Sequence, residues 1–150
     1  MAELTSPTQE TPSYIHLRPG EEPPELPELP YRFVVVADTA VSADWREDIA
    51  AWIFKTGSRY VVAWGQSCED WHDSVDFACL EAFDFGPVPD KDHIMTTWHS
   101  DEPLSEAFWF AGFCAFHPDV ELRETIILHI AEEPRKASML EEYKQAQSSD

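Results

Sequence analysis

Residues 32–37 read Arg-Phe-Val-Val-Val-Ala and residues 59–64 read Arg-Tyr-Val-Val-Ala-Trp. Neither run shows the apolar–polar alternation of a half-exposed strand. Runs of this kind suit strands covered on both faces, as in the middle of a parallel sheet. That requirement constrains the chain more than any other feature, because it demands a layer of helices on each side.

The segments that follow the two runs supply helices. After the first, Asp38 and Thr39 end the strand, and Ser42 is placed to cap a helix reaching about residue 56. Asp44 and Glu47 lie near its start and Gly57 just past its end, as capping preferences ask. Trp45, Ile49, Trp52 and Ile53 share one face at helical spacing. After the second run, Gly65 closes the strand and Ser67 is expected to cap a helix over about residues 68–84. Glu69 and Asp70 fall in its first turn, and Trp71, Val75, Ala78, Cys79 and Ala82 form its apolar stripe.

Residues 93–99 predict a third strand, and Pro103 suits the first turn of a third helix over about 103–116. Residues 122–131 predict a fourth strand in which Ile126, Leu128 and Ile130 alternate with Thr125 and His129. Its polar content places it at a sheet edge, parallel or antiparallel. Pro134 precedes a polar helix over about 137–145. The expected fold is a small three-layer α/β/α domain with a mostly parallel four-stranded sheet in βαβαβαβ order plus a C-terminal helix. The expected division is an extended proline-rich arm over 1–30, the α/β domain over 31–131, and a helix with a polar tail over 132–150.

The arm holds seven of the twelve prolines. Over residues 21–30 proline excludes helix and central strand, and a polyproline II period of three puts Leu26 and Leu29 on one side. The arm reads as a linker or as a segment docking those leucines in an apolar groove.

Charge narrows the partners. Twenty-nine acidic residues oppose ten basic ones, a formal net charge of −19. Nucleic acids and anionic membranes would be repelled, since binding them needs lysine and arginine. A basic protein would be attracted at long range. The aromatic content, with six tryptophans and nine phenylalanines, separates the chain from disordered acidic proteins. Cys68, Cys79 and Cys114 form no CxxC pair and no even set, so the chain reads as reduced and cytoplasmic. Cys79 and Cys114 read as small core residues. The start, Met1-Ala2-Glu3-Leu4-Thr5, has no basic and apolar leader pattern, and no run is long enough for a membrane span.

Two groups of residues are candidate sites. Ligands of open parallel sheets bind beyond the carboxyl ends of the strands. Asp38, Glu69, Asp70 and Asp101 all fall there, an oxygen-rich set suited to Mg2+ and hence to phosphoryl transfer, nuclease-like cleavage or nucleotide processing. Against that set, helix N-termini recruit acids in any case, and no glycine-rich phosphate loop accompanies them. Cys68 opens a helix with His72 one turn on, but Glu69 and Asp70 adjoin it and disfavour a thiolate. The second group lies on the third helix. Leu104, Phe108, Ala111 and Ala115 share one face, whereas Trp109, Phe113 and Phe116 occupy the nearly opposite one. With Asp101 and Glu102 at the rim, these aromatics resemble the anchors of a protein interface. The arm, the C-terminal helix, a second copy in a homodimer, or a different protein could cover them. The leading functional expectation is a non-catalytic binding protein that inhibits or adapts a basic partner, such as a bacterial nuclease toxin. The alternative is the small metal-dependent enzyme.

Overall fold

The computed structural model describes residues 11–148; the first ten residues of the expected arm and the last two of the tail lie outside the described residues. Five parallel strands form one sheet: β1 (Ser13–Leu17), β2 (Arg32–Ala37), β3 (Tyr60–Gly65), β4 (Met95–His99) and β5 (Thr125–Ile130). Their lateral order is β1-β5-β2-β3-β4, all neighbours parallel. Among the described residues four α-helices complete the fold: α1 (Ala43–Lys55), α2 (Cys68–Ala82), α3 (Leu104–Phe113) and α4 (Lys136–Ser148).

The two apolar runs lie in the middle, as double burial requires. Every residue of β2 is buried, and Val61, Val62 and Ala63 of β3 have no exposure. Pleating sends alternate side chains to opposite faces. Phe33 and Val35 join Ile49, Ile53, Trp71 and Val75 of α1 and α2, while Val34 and Val36 join Leu104, Phe108, Met139 and Tyr143 of α3 and α4. The α/β/α layering, the parallel sheet and the C-terminal helix are those the sequence pattern implies.

Three local expectations are corrected. The strand over 122–131 is not at an edge: β5 sits between β1 and β2, and Ile127, Leu128, His129 and Ile130 are wholly buried. Its polar members are tolerated because partners satisfy them, as described below. The sheet also has a strand more than expected, β1, drawn from the proline-rich segment. Finally, Ser67 does not cap α2; it adopts a left-handed conformation at φ 57° and its side chain makes no capping bond. Ser42 does cap α1, accepting from the Trp45 amide at 3.2 Å.

The rest of the arm takes the place of a crossover helix. It leaves β1 and passes over α1 before entering β2. The Trp45 and Trp52 indoles donate to the carbonyls of Glu21 and Pro24 at 2.9 and 3.0 Å. Tyr31 donates its hydroxyl to the Pro27 carbonyl at 2.6 Å, and the Leu29 amide donates to Thr56 at 2.9 Å. Leu26 packs against the α1/α2 core and Leu29 stays exposed. Carbonyls of this proline-rich segment are thereby met by tryptophan donors from the helix beneath.

At the other end of the sheet, Arg32 is buried without a carboxylate partner. Its guanidinium donates twice to the Ala115 carbonyl, at 3.0 and 2.8 Å, and once to Thr125 Oγ1 at 2.9 Å. The charge is thus matched to carbonyl acceptors beyond the end of α3, where the helix dipole is negative. Tight approach fixes the loop after β3: Gly65 has φ 103°, and a Cβ there would run into the Ala37 carbonyl oxygen. Gly65→Ala should therefore lower unfolding stability by about 1–3 kcal/mol, read as a shifted urea midpoint with unchanged slope.

Candidate functional site

The order β1-β5-β2-β3-β4 creates a switch point. From β2 the chain moves through α1 to β3, and from β5 it enters α4 on the opposite layer. The carboxyl ends of β2 and β5 therefore lie at a divergence of connections, where open α/β sheets bind ligands. Asp38 is there, directly after β2.

Asp38 does not stand alone. Its Oδ2 accepts from His129 Nε2 at 2.6 Å, and the Tyr14 hydroxyl donates to His129 Nδ1 at 2.7 Å. The Arg135 amide donates to the Tyr14 oxygen at 3.0 Å, and the Arg135 guanidinium stands 3.7 Å from Asp38. His16, 5.9 Å from the His129 ring, bonds through Nε2 to the Ala131 carbonyl at 2.7 Å. The Asp38 carboxylate calls for a proton on His129 Nε2, and the Tyr14 hydroxyl suits an unprotonated Nδ1, the neutral Nε2–H tautomer. Burial pushes its pKa below the ordinary 6.5, outweighing the opposing pull of Asp38. Burial also raises the Tyr14 phenol above its ordinary 10.0. A raised phenol and a neutral imidazole make a polar brace joining β1, β2, β5 and the start of α4, rather than an activated nucleophile.

The other carboxylates do not join it. Glu69 and Asp70 are exposed in the first turn of α2, and Asp101 is exposed after β4 at φ 63°. Glu102 is occupied elsewhere: its carboxylate meets His99 Nδ1 at 3.2 Å, and its carbonyl accepts from the Trp64 indole at 2.7 Å. Among the described residues, no three His, Cys, Asp or Glu side chains converge in a way that could hold a metal ion. Cys68 is buried, and burial raises its thiol above the ordinary 9.0, the opposite of an activated nucleophile. His72 turns to Trp98, Asp73 and Asp76 instead.

The predicted inner face of α3 is buried: Leu104, Phe108, Ala111 and, just past the helix, Ala115 have at most 5% exposure. The opposite face stays open. Phe113 is 38% exposed and Trp109 is half-buried, its ring 5.4 Å from that of Phe113, whereas Phe116, expected on the helix, lies past its end and is 49% exposed. The described part of the arm that follows β1 docks on the other side of the sheet, against α1. The C-terminal helix lies beside α3, with Tyr143 against Phe108 and Gln147 donating to the Phe108 carbonyl at 2.8 Å. Neither the described part of the arm nor that helix buries Phe113 or Phe116. Glu106, exposed, falls one turn before Trp109 and two before Phe113 on that face. Phe116 shields Arg32, whose guanidinium carbon is 5.8 Å from its ring centre. Cys114 is exposed, contrary to its expected place in the core.

Sequence reasoning missed Tyr14, His16 and Arg135. The signal was present in residues 13–17, Ser-Tyr-Ile-His-Leu, whose alternation resembles that of residues 126–130. The prolines around it masked the strand.

Fold and site together define a small doubly wound parallel α/β domain with a hydrogen-bonded switch point and no assembled metal cage among the described residues. A family model described as a domain of unknown function (DUF7684) matches residues 12–146, from β1 into α4, and the chain belongs to that family. No curated protein and no solved structure matches it. No helix among the described residues is long and apolar enough to cross a membrane.

The brace has a measurable consequence. Because His129 binds its proton less readily folded than unfolded, its share of stability is complete above about pH 6.5. That share declines as pH falls from there toward the lower folded value. An NMR titration should show the His129 ring changing charge below the ordinary histidine range. Tyr14→Phe leaves His129 Nδ1 buried without a donor and should cost about 1–3 kcal/mol by denaturant unfolding.

Proposed function

We propose that this protein is a non-catalytic acidic binding protein for a basic protein partner, acting in the cytoplasm as an inhibitor of the immunity or antitoxin kind or as an adaptor. One observation carries the reading: Trp109 and Phe113 on α3, and Phe116 just beyond it, stay at least partly exposed beside the described part of the arm and the C-terminal helix, on a chain of net charge −19. Exposed aromatics are the commonest anchors of interfaces, and surrounding charge steers encounter. Asp101, Glu102 and Glu106 supply acids at the start of the same helix. A homodimer across this face would bring together two bodies of the same large negative charge, whereas a basic partner gains from that field. The unpaired thiols Cys68, Cys79 and Cys114 support a reducing compartment.

Capture of a partner from the native cell at low salt, followed by stopped-flow association, tests the reading. The association rate should fall several-fold as salt rises while dissociation changes less, since exposed charges are screened beyond about 8 Å at physiological ionic strength. Phe113→Ser should weaken the complex without changing the circular dichroism of the free protein. A partner that is not basic, a salt-independent rate, or full affinity in Phe113→Ser would overturn it.

A further inference from the structure

Strand β4 ends the sheet, and its outer edge has no strand beside it among the described residues. In a parallel pair, the amide and carbonyl of one residue point to the same side, and successive residues alternate. The Met95 amide donates toward β3, to the Arg59 carbonyl at 2.9 Å. Thr97 and His99 therefore also face β3, and the main-chain groups of Thr96 and Trp98 face outward. Trp98 is 42% exposed.

A groove of about 200 Å3 adjoins this edge, lined by Asp76, Cys79, Leu80, Val88, His93 and Ile94. Leu80 is 44% exposed. The α2 flank is acidic: Asp73 and Asp76 share His72, at 3.0 and 3.4 Å, and Asp76 also accepts from Thr96 Oγ1 at 2.8 Å. The His72 ring lies 4.5 Å from Trp98. Free backbone groups, an apolar hollow and carboxylates thus run along one line.

The opposite edge differs. Prolines bracket β1 at positions 12 and 19, and Arg18 and Arg135 stand near it, bonded to the Glu132 carbonyl and close to Asp38. Proline and basic residues blunt an edge against pairing with a basic strand. Near β4, by contrast, Arg59 is tied to Asp92 at 3.1 Å, and the ion pairs of Asp73 and Asp76 are with His72 rather than with a lysine or arginine.

We propose that the β4 edge is a docking site for an extended, positively charged segment of a partner protein, which adds as a further strand. Its main chain pairs with Thr96 and Trp98, one apolar side chain enters the Leu80/Val88/Ile94 groove, and lysine or arginine meets Asp73 and Asp76. This is strand addition, in which backbone bonds give affinity and alternating pockets give selectivity. Charge decides the occupant: a second copy would bring a net −19 against the same flank. The inference rests on the reading of a basic partner but uses a different surface from α3.

The probe is a short synthetic peptide alternating lysine and valine, with a glutamate–valine peptide as its control. Hydrogen exchange of the Thr96 and Trp98 amides should slow on adding the first and not the second. Asp76→Lys and Leu80→Glu should each weaken the peptide by about tenfold or more, the loss of one good contact, with unchanged circular dichroism. Leu80 is exposed, so its variant retains the fold if Asp76→Lys does not. Phe113→Ser should leave peptide binding intact, which separates this site from the α3 face. No binding, equal binding of the glutamate peptide, protection confined to α3, or full affinity in Leu80→Glu would overturn the proposal. Protection of Thr96 and Trp98 in a peptide-free dimer would assign the edge to a second copy and overturn it equally.

Discussion

Burial of β2 and its two neighbours on both faces is the constraint from which the rest of the structure follows. A strand with no exposed residue can neither alternate nor face water, so two helical layers are obligatory. The chain meets that demand by sending α1 and α2 to one face and α3 and α4 to the other. Changing layers requires a return past β2 after β4, and that return places β5 next to β2. The switch point is therefore a consequence of covering the sheet, and Asp38 and His129 meet because of it.

Polar groups within that apolar frame are held by pairing rather than by exposure. Arg32 is matched to the Ala115 carbonyl at the amino end of the sheet, and His129 to Tyr14 and Asp38 at the carboxyl end. Each joins elements distant in sequence: β2 to the end of α3, and β1 to β5 and α4. Buried polar groups satisfied in this way fix which strands are neighbours, because a wrong pairing would leave them without partners. The neutral state of His129 fits this structural role, as does the raised phenol of Tyr14.

The charge of the molecule sits outside this frame. Most of the described carboxylates are exposed, so the net −19 that remains after all ten bases are counted faces solvent. Two surfaces combine that field with exposed aromatic or apolar side chains: the α3 face, and the edge of β4 beside α2. They differ in kind. The first offers anchors without free backbone, the second offers free backbone with a small groove. A partner that used both would wrap around the β4 side of the domain.

The layered α/β/α class, the central position of residues 32–37 and 59–64, and the inner face of α3 were legible in the sequence, because hydrophobic period and strand burial are local properties. So was the separation of Trp109 and Phe113 from that inner face, since opposite faces of a helix are read from spacing alone. The place of β5 was not. Its Thr125 and His129 look like solvent-facing residues until Tyr14, more than a hundred positions away, is known to satisfy one of them. The fifth strand was hidden for a related reason: in a proline-rich segment, five residues of alternation carry little weight until β5 offers an edge for them to pair with. The carboxylates that sequence order gathered at the strand ends were separated by tertiary structure, Asp38 toward β5 and Asp101 after β4. Spacing along a chain fixes which side of an element a residue occupies; only the lateral order of strands decides which residues meet across them.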